Sequence, residues 1–153
     1  MSQHKEQQGF LTFAKNSNAV DYLHLAYIQA LNVKATQRIN SYAVVVDSKT
    51  NELVTDTHRK TFDYIIVHDS VGPFDAEYMA FWLTPFKETV KLESDLLFTR
   101  SIDHWWHAFR LRDVCLSTGC RDYRQRVSQR RDYRKVFDAN NLPDVYNLSL
   151  IHI

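Results

Sequence analysis

The stretch FKETVKLESDLLFTRSIDHWW, residues 86–106, places two acidic residues between apolar runs. Thr89–Leu92 has a composition typical of a β-strand, and Glu93, Ser94 and Asp95 follow it directly. Ionised carboxylates beside a fold interior need an opposite charge, hydrogen bonds or a bound cation. Two acidic residues with one spacer at the end of a buried strand can hold a divalent cation, because two hard oxygen ligands reach one ion and leave other positions to water and phosphates. An isolated triplet of this kind is also typical of a solvated turn.

Length and composition indicate one globular domain. The chain has 153 residues, of which 44% are hydrophobic and 24% charged, and its formal net charge is +1. This balance gives no general electrostatic reason to expect a nucleic-acid or membrane partner. The three glycines argue against a glycine-rich phosphate loop. Cys115 and Cys120 are too few for a disulfide framework, and no apolar run could span a bilayer, so we expect a cytoplasmic protein with reduced thiols.

Apolar and β-branched runs predict five strands. They are Gly9–Ala14, Ser41–Asp47, Phe62–His68, the strand within residues 86–106, and Asp113–Ser117. Helical patterns occupy Val20–Gln37, Asp75–Trp82 and, as a single turn, Asp103–Phe109. The order predicts an α/β fold with a mostly parallel, Rossmann-like sheet flanked by helices. We expect the polar segment Ser48–Lys60 to include a loop, Val136–Asn147 to be a loop, and residues 1–8 to form a flexible N-terminus.

The longest predicted helix has one apolar face. Its apolar residues recur at i, i+3, i+4, i+7 and i+8, the spacing of a helix that packs on a sheet. They are Leu23, Ala26, Tyr27, Ala30 and Leu31. The spacing therefore predicts a helix over Val20–Gln37.

Polar residues follow three of the predicted strands. Lys15 and Asn16 come after the first strand, Asp47 ends the second, and Glu93 and Asp95 follow the fourth. Ligands of open parallel sheets bind beyond the carboxyl ends of the strands. The order alone therefore predicts that these side chains gather at one edge, although Asp47 taken alone is equally typical of a turn.

The order of residues 86–106 resembles the metal-binding segment of GT-A-fold glycosyltransferases, of the glycogenin-like and bacterial galactosyltransferase-like type. There a strand ends in Asp-x-Asp, and an apolar run and Ile-Asp-x-Trp or Phe follow. Here Leu96–Phe98 and Ile102–Trp106 match that continuation, and Glu93 replaces the first Asp. The resemblance implies that Asp95 and Glu93 bind Mn²⁺ or Mg²⁺.

The same resemblance extends over residues 9–147 and implies the nucleotide-sugar-binding half of a GT-A domain. The family's first strand and loop hold the base and ribose of the donor, which falls on Ala14, Lys15 and Asn16. A carboxylate that ends the second strand commonly contacts the base, and Asp47 stands there.

The last residues suggest that the chain is incomplete. The segment NLPDVYN, Asn141–Asn147, resembles the approach to the family's Asn-x-Gly segment, which shapes the acceptor side of the pocket. Its glycine is absent, because LSLIHI follows Asn147 directly and looks like the translation of a sequencing adapter. A short apolar tail or strand is the alternative for Leu148–Ile153. The family's late histidine, a metal ligand in many members, has no counterpart.

The segment Arg121–Lys135 is strongly basic and has three interpretations. It is either a solvated face, a cover over a donor diphosphate, or a surface for a polyanionic acceptor such as nucleic acid. Arg121, Arg124 and Arg131, together with Asn147, are the candidates for phosphate or acceptor contacts.

The resemblance implies a metal-assisted glycosyltransferase that moves a sugar from a nucleotide-diphosphate donor to a glycan, a protein or a modified nucleic acid. No catalytic base is evident. One alternative is Mg²⁺-dependent phosphoryl transfer by a nuclease or nucleotidyltransferase, which needs a further carboxylate such as Asp47 or Asp69. The other is a non-catalytic nucleic-acid-binding module that uses Arg121–Lys135, whose salt-sensitive binding would survive Asp95→Ala.

Overall fold

A computed structural model describes residues 6–70, 76–111, 115–117 and 147–152. In this part of the chain, six strands form one sheet. They are β1 (Glu6–Phe13), β2 (Tyr42–Val46), β3 (Tyr64–Val67), β4 (Phe86–Leu92), β5 (Cys115–Ser117) and β6 (Asn147–His152). The strands are arranged in the order β3-β2-β1-β4-β6-β5, and β1 to β4 run parallel to one another. β6 is antiparallel to both of its neighbours. The predicted mostly parallel α/β sheet is confirmed.

Several strand ends differ from the predicted boundaries by one to three residues, and two segments predicted to be flexible or a loop contribute residues to the sheet. β1 begins at Glu6 instead of Gly9, so the expected flexible N-terminus is wrong for residues 6–8, which belong to the sheet. Asn147 was expected at the end of a loop, but it is the first residue of β6. The rest of Val136–Asn147 lies outside the described residues. The origin of Leu148–Ile153 stays a prediction, because strand pairing by residues 148–152 does not bear on it.

The helices in the described ranges are α1 (Tyr22–Thr36), α2 (Ser48–Asn51), α3 (Asp56–Thr61), α4 (Ala76–Leu83) and α5 (Trp105–Phe109). The expected loop within Ser48–Lys60 is present at residues 52–55, and two helices that were not predicted, α2 and α3, occupy the rest of that segment. Each has a side-chain N-cap: Asp47 accepts from the amide of Thr50 at 2.8 Å, and Thr55 caps α3 with His58 in a capping box. These caps satisfy amide groups that helices of four and six residues leave unpaired. No helix in the described ranges is long and apolar enough to cross a membrane.

The first face of the sheet is covered by α1 and α5. The buried residues of α1 are Leu23, Ala26, Gln29, Ala30 and Val33. Leu31 belongs to the apolar spacing in the sequence, but its side chain is 45% exposed. The helix is rotated so that Val33 points inward and Gln29 shares the buried face. The sheet contributes Phe10, Tyr42 and Val90 to the same core.

The second face of the sheet packs beneath α4. Leu11, Val45, Ala80 and Phe86 are buried there together. The Phe86 ring lies against the backbone of Gly9, and a Cβ built at position 9 would be 2.4 Å from Phe86 Cζ. Only glycine fits beneath this ring without displacing it.

Candidate functional site

The carboxyl ends of β1, β2 and β4 lie side by side at one edge of the sheet. Phe13 of β1 is in register with Val45 of β2, and Thr12 of β1 is in register with Leu92 of β4. The buried Thr12 hydroxyl also donates to the Leu92 carbonyl at 2.9 Å. The residues that follow these three strands therefore leave the sheet at the same edge. They are Ala14, Lys15 and Asn16 after β1, Asp47 after β2, and Glu93 and Asp95 after β4.

An ion pair joins the ends of β1 and β2. Lys15 Nζ lies 3.8 Å from Asp47 Oδ2, and the lysine side chain is 55% exposed. Partial burial alone would raise the pKa of the Asp47 carboxyl, but hydrogen bonds from Thr50 and the charge of Lys15 outweigh it, so the pKa is lowered. Asp47 is therefore a carboxylate at neutral pH, and Lys15 offers an exposed ammonium beside it.

Ala14 and Asn16 have structural roles at this edge. The Ala14 side chain is fully buried in the first core. Asn16 Nδ2 donates to Asp21 at 2.9 Å, and Asn16 Oδ1 accepts from the Leu23 amide at 2.8 Å, at the start of α1. Of the predicted donor-binding residues after β1, Lys15 is the one whose side chain is exposed.

A further carboxylate follows β3. Asp69 accepts hydrogen bonds from both the amide and the hydroxyl of Ser48, each at 2.7 Å. These bonds, the backbone one foremost, lower the pKa of Asp69. Asp69 was predicted only as a further carboxylate for phosphoryl transfer. The rule that ligands bind beyond the carboxyl ends of parallel strands applies to Asp69 as it does to Asp47.

The turn that carries Glu93 is fixed from below by a buried amide. Gln29 of α1 donates from Nε2 to the carbonyls of Glu93 and Leu96, both at 2.6 Å, and its Oε1 accepts from the Tyr42 hydroxyl at 2.6 Å. Burial raises the pKa of Tyr42, so the hydroxyl stays a proton donor. The backbone of the Glu93–Asp95 turn is thus attached to α1 through groups in the core.

The side chains of the acidic turn have different surroundings. Asp95 is exposed, whereas Glu93 contacts the ammonium of Lys91, which is almost fully buried. Lys91 is a site residue that was not among those predicted from the sequence. The signal was a lysine within an apolar strand and two residues before an acid, because residues i and i+2 of a strand point to the same side.

The rest of the 86–106 stretch runs along α1. Asn32 exchanges two hydrogen bonds with the backbone of Phe98, at 2.7 and 3.0 Å. Gln37 Oε1 accepts from the Ile102 amide at 2.8 Å. Together with Gln29, these two amide side chains attach the segment after the acidic turn to one helix.

Asp103 ends this attached segment. Its carboxylate accepts from the Arg38 amide at 3.1 and 3.2 Å and from the Ser101 hydroxyl. Partial burial raises the pKa of Asp103, but the hydrogen bonds from Ser101, Arg38 and Ile39 outweigh it and lower the pKa. Asp103 therefore stabilises the fold as an ionised group.

We expect the hydrogen bonds of the Asp103 carboxylate to make the free energy of unfolding depend on pH. A carboxyl with a lowered folded pKa stabilises fully above its ordinary value of 3.8, and this contribution is lost as the pH falls through the folded pKa. Urea unfolding measured from roughly pH 6 down to pH 3 should show a falling free energy of unfolding. Asp103→Asn should show a smaller decrease than the wild type, and equal decreases would contradict the prediction.

The acidic turn offers few protein ligands to a metal ion. In the described ranges, no group of three or more His, Cys, Asp or Glu side chains is arranged to hold one. Mg²⁺ in nucleotide enzymes is usually held by only one or two carboxylates together with substrate phosphates. The exposed Asp95 carboxylate and the 43% exposed Glu93 side chain fit a cation of that kind. They do not form a closed protein site.

Four further residues were predicted to contact phosphate or the acceptor. Arg121, Arg124 and Arg131 lie outside the described residues, as does the whole of Arg121–Lys135. Asn147 is placed by its backbone in β6, where it is in register with Ser117.

The parallel strands β1 to β4, with helices on both faces, form a GT-A-like α/β fold. The structure is similar to apo mouse xyloside xylosyltransferase 1, with a TM-score of 0.57 and 12% identity over 96% of this chain and 67% of that chain. It is also similar to 4-diphosphocytidyl-2C-methyl-D-erythritol synthase from Anaerococcus prevotii, with a TM-score of 0.50 and 10% identity over 97% and 71% of the two chains. No protein-family model matches the sequence, and no curated protein matches it. The likeness concerns the fold, and the narrower glycogenin-like type stays a prediction.

Proposed function

We propose that the protein is a glycosyltransferase that takes a sugar from a nucleotide-diphosphate donor with the help of Mg²⁺ or Mn²⁺. The observation that carries the proposal is the meeting of Lys15, Asp47 and the Glu93–Asp95 turn at the carboxyl edge of a GT-A-like sheet. In such sheets the crevice beyond the strand ends is where ligands bind. The similarity to a xylosyltransferase supports the same class.

The donor nucleoside would lie over the ends of β1 and β2. Asp47 Oδ2 faces Lys15, and Asp47 Oδ1 accepts from Thr50, so the carboxylate is held in place and can accept from a base or ribose. The backbone of Asn16 is fixed as well, since its amide donates to the Thr50 hydroxyl at 3.0 Å. Because these groups are already held in place, binding of the nucleoside would require little further ordering of the protein.

The diphosphate would lie toward β4, between Lys15 and the acidic turn. In sugar transfer, an acceptor oxygen bonds to the anomeric carbon and gives up its proton. The bond from that carbon to the diphosphate oxygen breaks, and the leaving nucleotide takes its electron pair. The exposed ammonium of Lys15 can bind the phosphate oxygens and offset that charge. Asp95, with Glu93, would hold the divalent cation, which supplies Lewis-acid stabilisation of the leaving group when bound.

Nucleotidyl transfer is the second candidate. The similarity to 4-diphosphocytidyl-2C-methyl-D-erythritol synthase favours it, and the carboxylates of Asp47 and Asp69 follow neighbouring strands. This chemistry needs a further carboxylate in the metal site, yet no three-ligand group occurs among the described residues. Glycosyl transfer needs fewer protein ligands and is therefore the better supported function.

A panel of nucleotide sugars tests the proposal. The full chain is incubated with Mn²⁺ and UDP-, GDP-, ADP- or CDP-sugars, and the released nucleoside diphosphate is measured by chromatography. We expect turnover of one donor class, by hydrolysis where no acceptor is present. Asp95→Asn should reduce that turnover about a hundredfold, a loss typical of removing one charge-stabilising group.

The control is Asp56→Asn, which removes an exposed carboxylate from the first turn of α3 and should leave turnover unchanged. No donor binding or turnover by the wild type would refute a glycosyltransferase. Release of pyrophosphate from a nucleoside triphosphate, dependent on Asp95, would support nucleotidyl transfer instead.

A further inference from the structure

Lys91 is a charged residue in the middle of the sheet. It stands in β4 between Leu11 of β1 and Ile151 of β6 in the backbone register. Its side chain is only 2% exposed. An ammonium removed from water requires an opposite charge or hydrogen-bond acceptors. Glu93 supplies such a charge, since its Oε1 contacts Lys91 Nζ.

The position of Glu93 is fixed from two sides. Its side chain is paired with Lys91, and its backbone carbonyl accepts from Gln29 at 2.6 Å and from the Leu96 amide at 3.2 Å. The carboxylate therefore cannot turn wholly toward a cation without giving up its contact with a buried ammonium. Asp95 is exposed on the same turn.

This pairing changes the charge that the turn offers to a cation. Two free carboxylates would present two negative charges, but the Lys91 ammonium cancels one of them. Sites for hard cations owe much of their affinity to the number of charged ligands. A turn with one net negative charge is a weak site for the metal alone, and the phosphate oxygens of a donor would supply the missing ligands.

We propose that Lys91 is the internal counter-charge of Glu93, so that the turn binds a divalent cation only together with the diphosphate of the donor. The diphosphate in this inference rests on the proposed function. Lys91 is then a positioning residue. It keeps the Glu93 carboxylate turned toward itself, so Asp95 is the principal ligand of the cation and Glu93 a weaker one. The consequence is an order of binding in which metal and nucleotide arrive as one complex.

The test measures Mn²⁺ binding by the full chain, from the electron paramagnetic resonance signal of free Mn²⁺, first without any nucleotide. Lys91→Met keeps the unbranched apolar stem of the side chain and removes its charged end. We expect it to bind Mn²⁺ about tenfold more tightly than the wild type, a change of the size produced by groups that orient metal ligands. Lys87→Met is the matched control, because Lys87 is an exposed lysine of the same strand, and it should bind Mn²⁺ as the wild type does.

Two further variants, Glu93→Gln and Asp95→Asn, test the proposal if Lys91→Met does not fold. Glu93→Gln removes one negative charge beside the turn and should weaken Mn²⁺ binding about threefold, whereas Asp95→Asn removes the principal ligand as well and should weaken it about tenfold or more. Equal Mn²⁺ affinity in Lys91→Met and wild type would overturn the proposal. A larger loss in Glu93→Gln than in Asp95→Asn would overturn it too.

The role of the diphosphate is tested separately by adding UDP, GDP, ADP or CDP. One of them should tighten Mn²⁺ binding by the wild type about tenfold, and a wild type that binds Mn²⁺ as tightly without nucleotide as with it would overturn the coupled order. Failure of the proposed function has a different signature. In that case no nucleotide or nucleotide sugar binds, while the tighter Mn²⁺ binding of Lys91→Met still supports its role as a counter-charge.

Discussion

Replacing Gln29 by Leu is expected to lower the free energy of unfolding by about 3 kcal/mol. The leucine side chain cannot donate to the Leu96 carbonyl or accept from the Tyr42 hydroxyl, and both bonds are 2.6 Å long in the wild type. A buried polar group that loses its partner costs about 1–3 kcal/mol. The Glu93 carbonyl also loses its bond to α1, although it still accepts from the Leu96 amide.

The same substitution should affect the site. Without Gln29 the acidic turn keeps Lys91 as its contact with the sheet but loses its attachment to α1. We therefore expect Mn²⁺ binding in the presence of nucleotide to weaken about tenfold in the folded variant. Urea unfolding followed by circular dichroism measures the first effect, and metal titration measures the second.

Tyr42→Phe is the graded control for Gln29→Leu. It removes the hydroxyl that donates to Gln29 Oε1 and leaves both bonds to the turn in place. We expect a loss of about 1 kcal/mol and unchanged metal binding. A Gln29→Leu protein as stable as the wild type, or a Tyr42→Phe protein that binds metal as poorly as Gln29→Leu, would contradict the assigned role of the amide.

Trp106→Ala is expected to cost about 4 kcal/mol of stability, the range for deletion of a buried aromatic residue. Trp106 is 3% exposed and packs edge to face on Phe10 and Phe109, with ring centroids 5.7 and 5.9 Å apart. Because domains of this size are stable by only about 5–15 kcal/mol, the variant should be close to unfolding at physiological temperature.

Its neighbour in sequence provides the control. Trp105 is 39% exposed, and its ring lies 6.2 Å from that of Phe109. Trp105→Ala should cost about 0.5 kcal/mol, as expected of a surface position. Both variants should be followed by circular dichroism, because each removes a tryptophan that would report by fluorescence. Similar losses for the two variants would show that α5 does not pack as described.

The parallel strands and their succession along the chain could be predicted because the sequence marks each strand locally. Tyr42–Val46 is buried along its whole length, and a strand covered on both faces reads as a continuous apolar run. The rule that ligands bind beyond the carboxyl ends of parallel strands then predicts that Asp47 and the acidic turn lie at one edge. Neither inference required knowledge of contacts between distant residues.

The features that could not be predicted from the sequence depend on contacts between distant residues or belong to very short elements. α2 has four residues, too few to show an apolar period. The rotation of α1 that exposes Leu31 and buries Gln29 follows from a turn more than sixty residues later in the chain, which accepts both amide protons of Gln29. A glutamine is usually exposed, so nothing near it in sequence predicts its burial.

The contact between Gly9 and Phe86 sets the alignment of two strands. The ring of Phe86 needs a residue without a side chain beneath it, and β1 offers one only at Gly9. If β4 slid by one residue along β1, the ring would meet a residue that carries a Cβ, and every side chain of β4 would change face. The acidic turn would move by about 3.3 Å relative to Lys15. Gly9, within β1, thus helps to set the distance between Lys15 and the acidic turn at the carboxyl ends of the two strands.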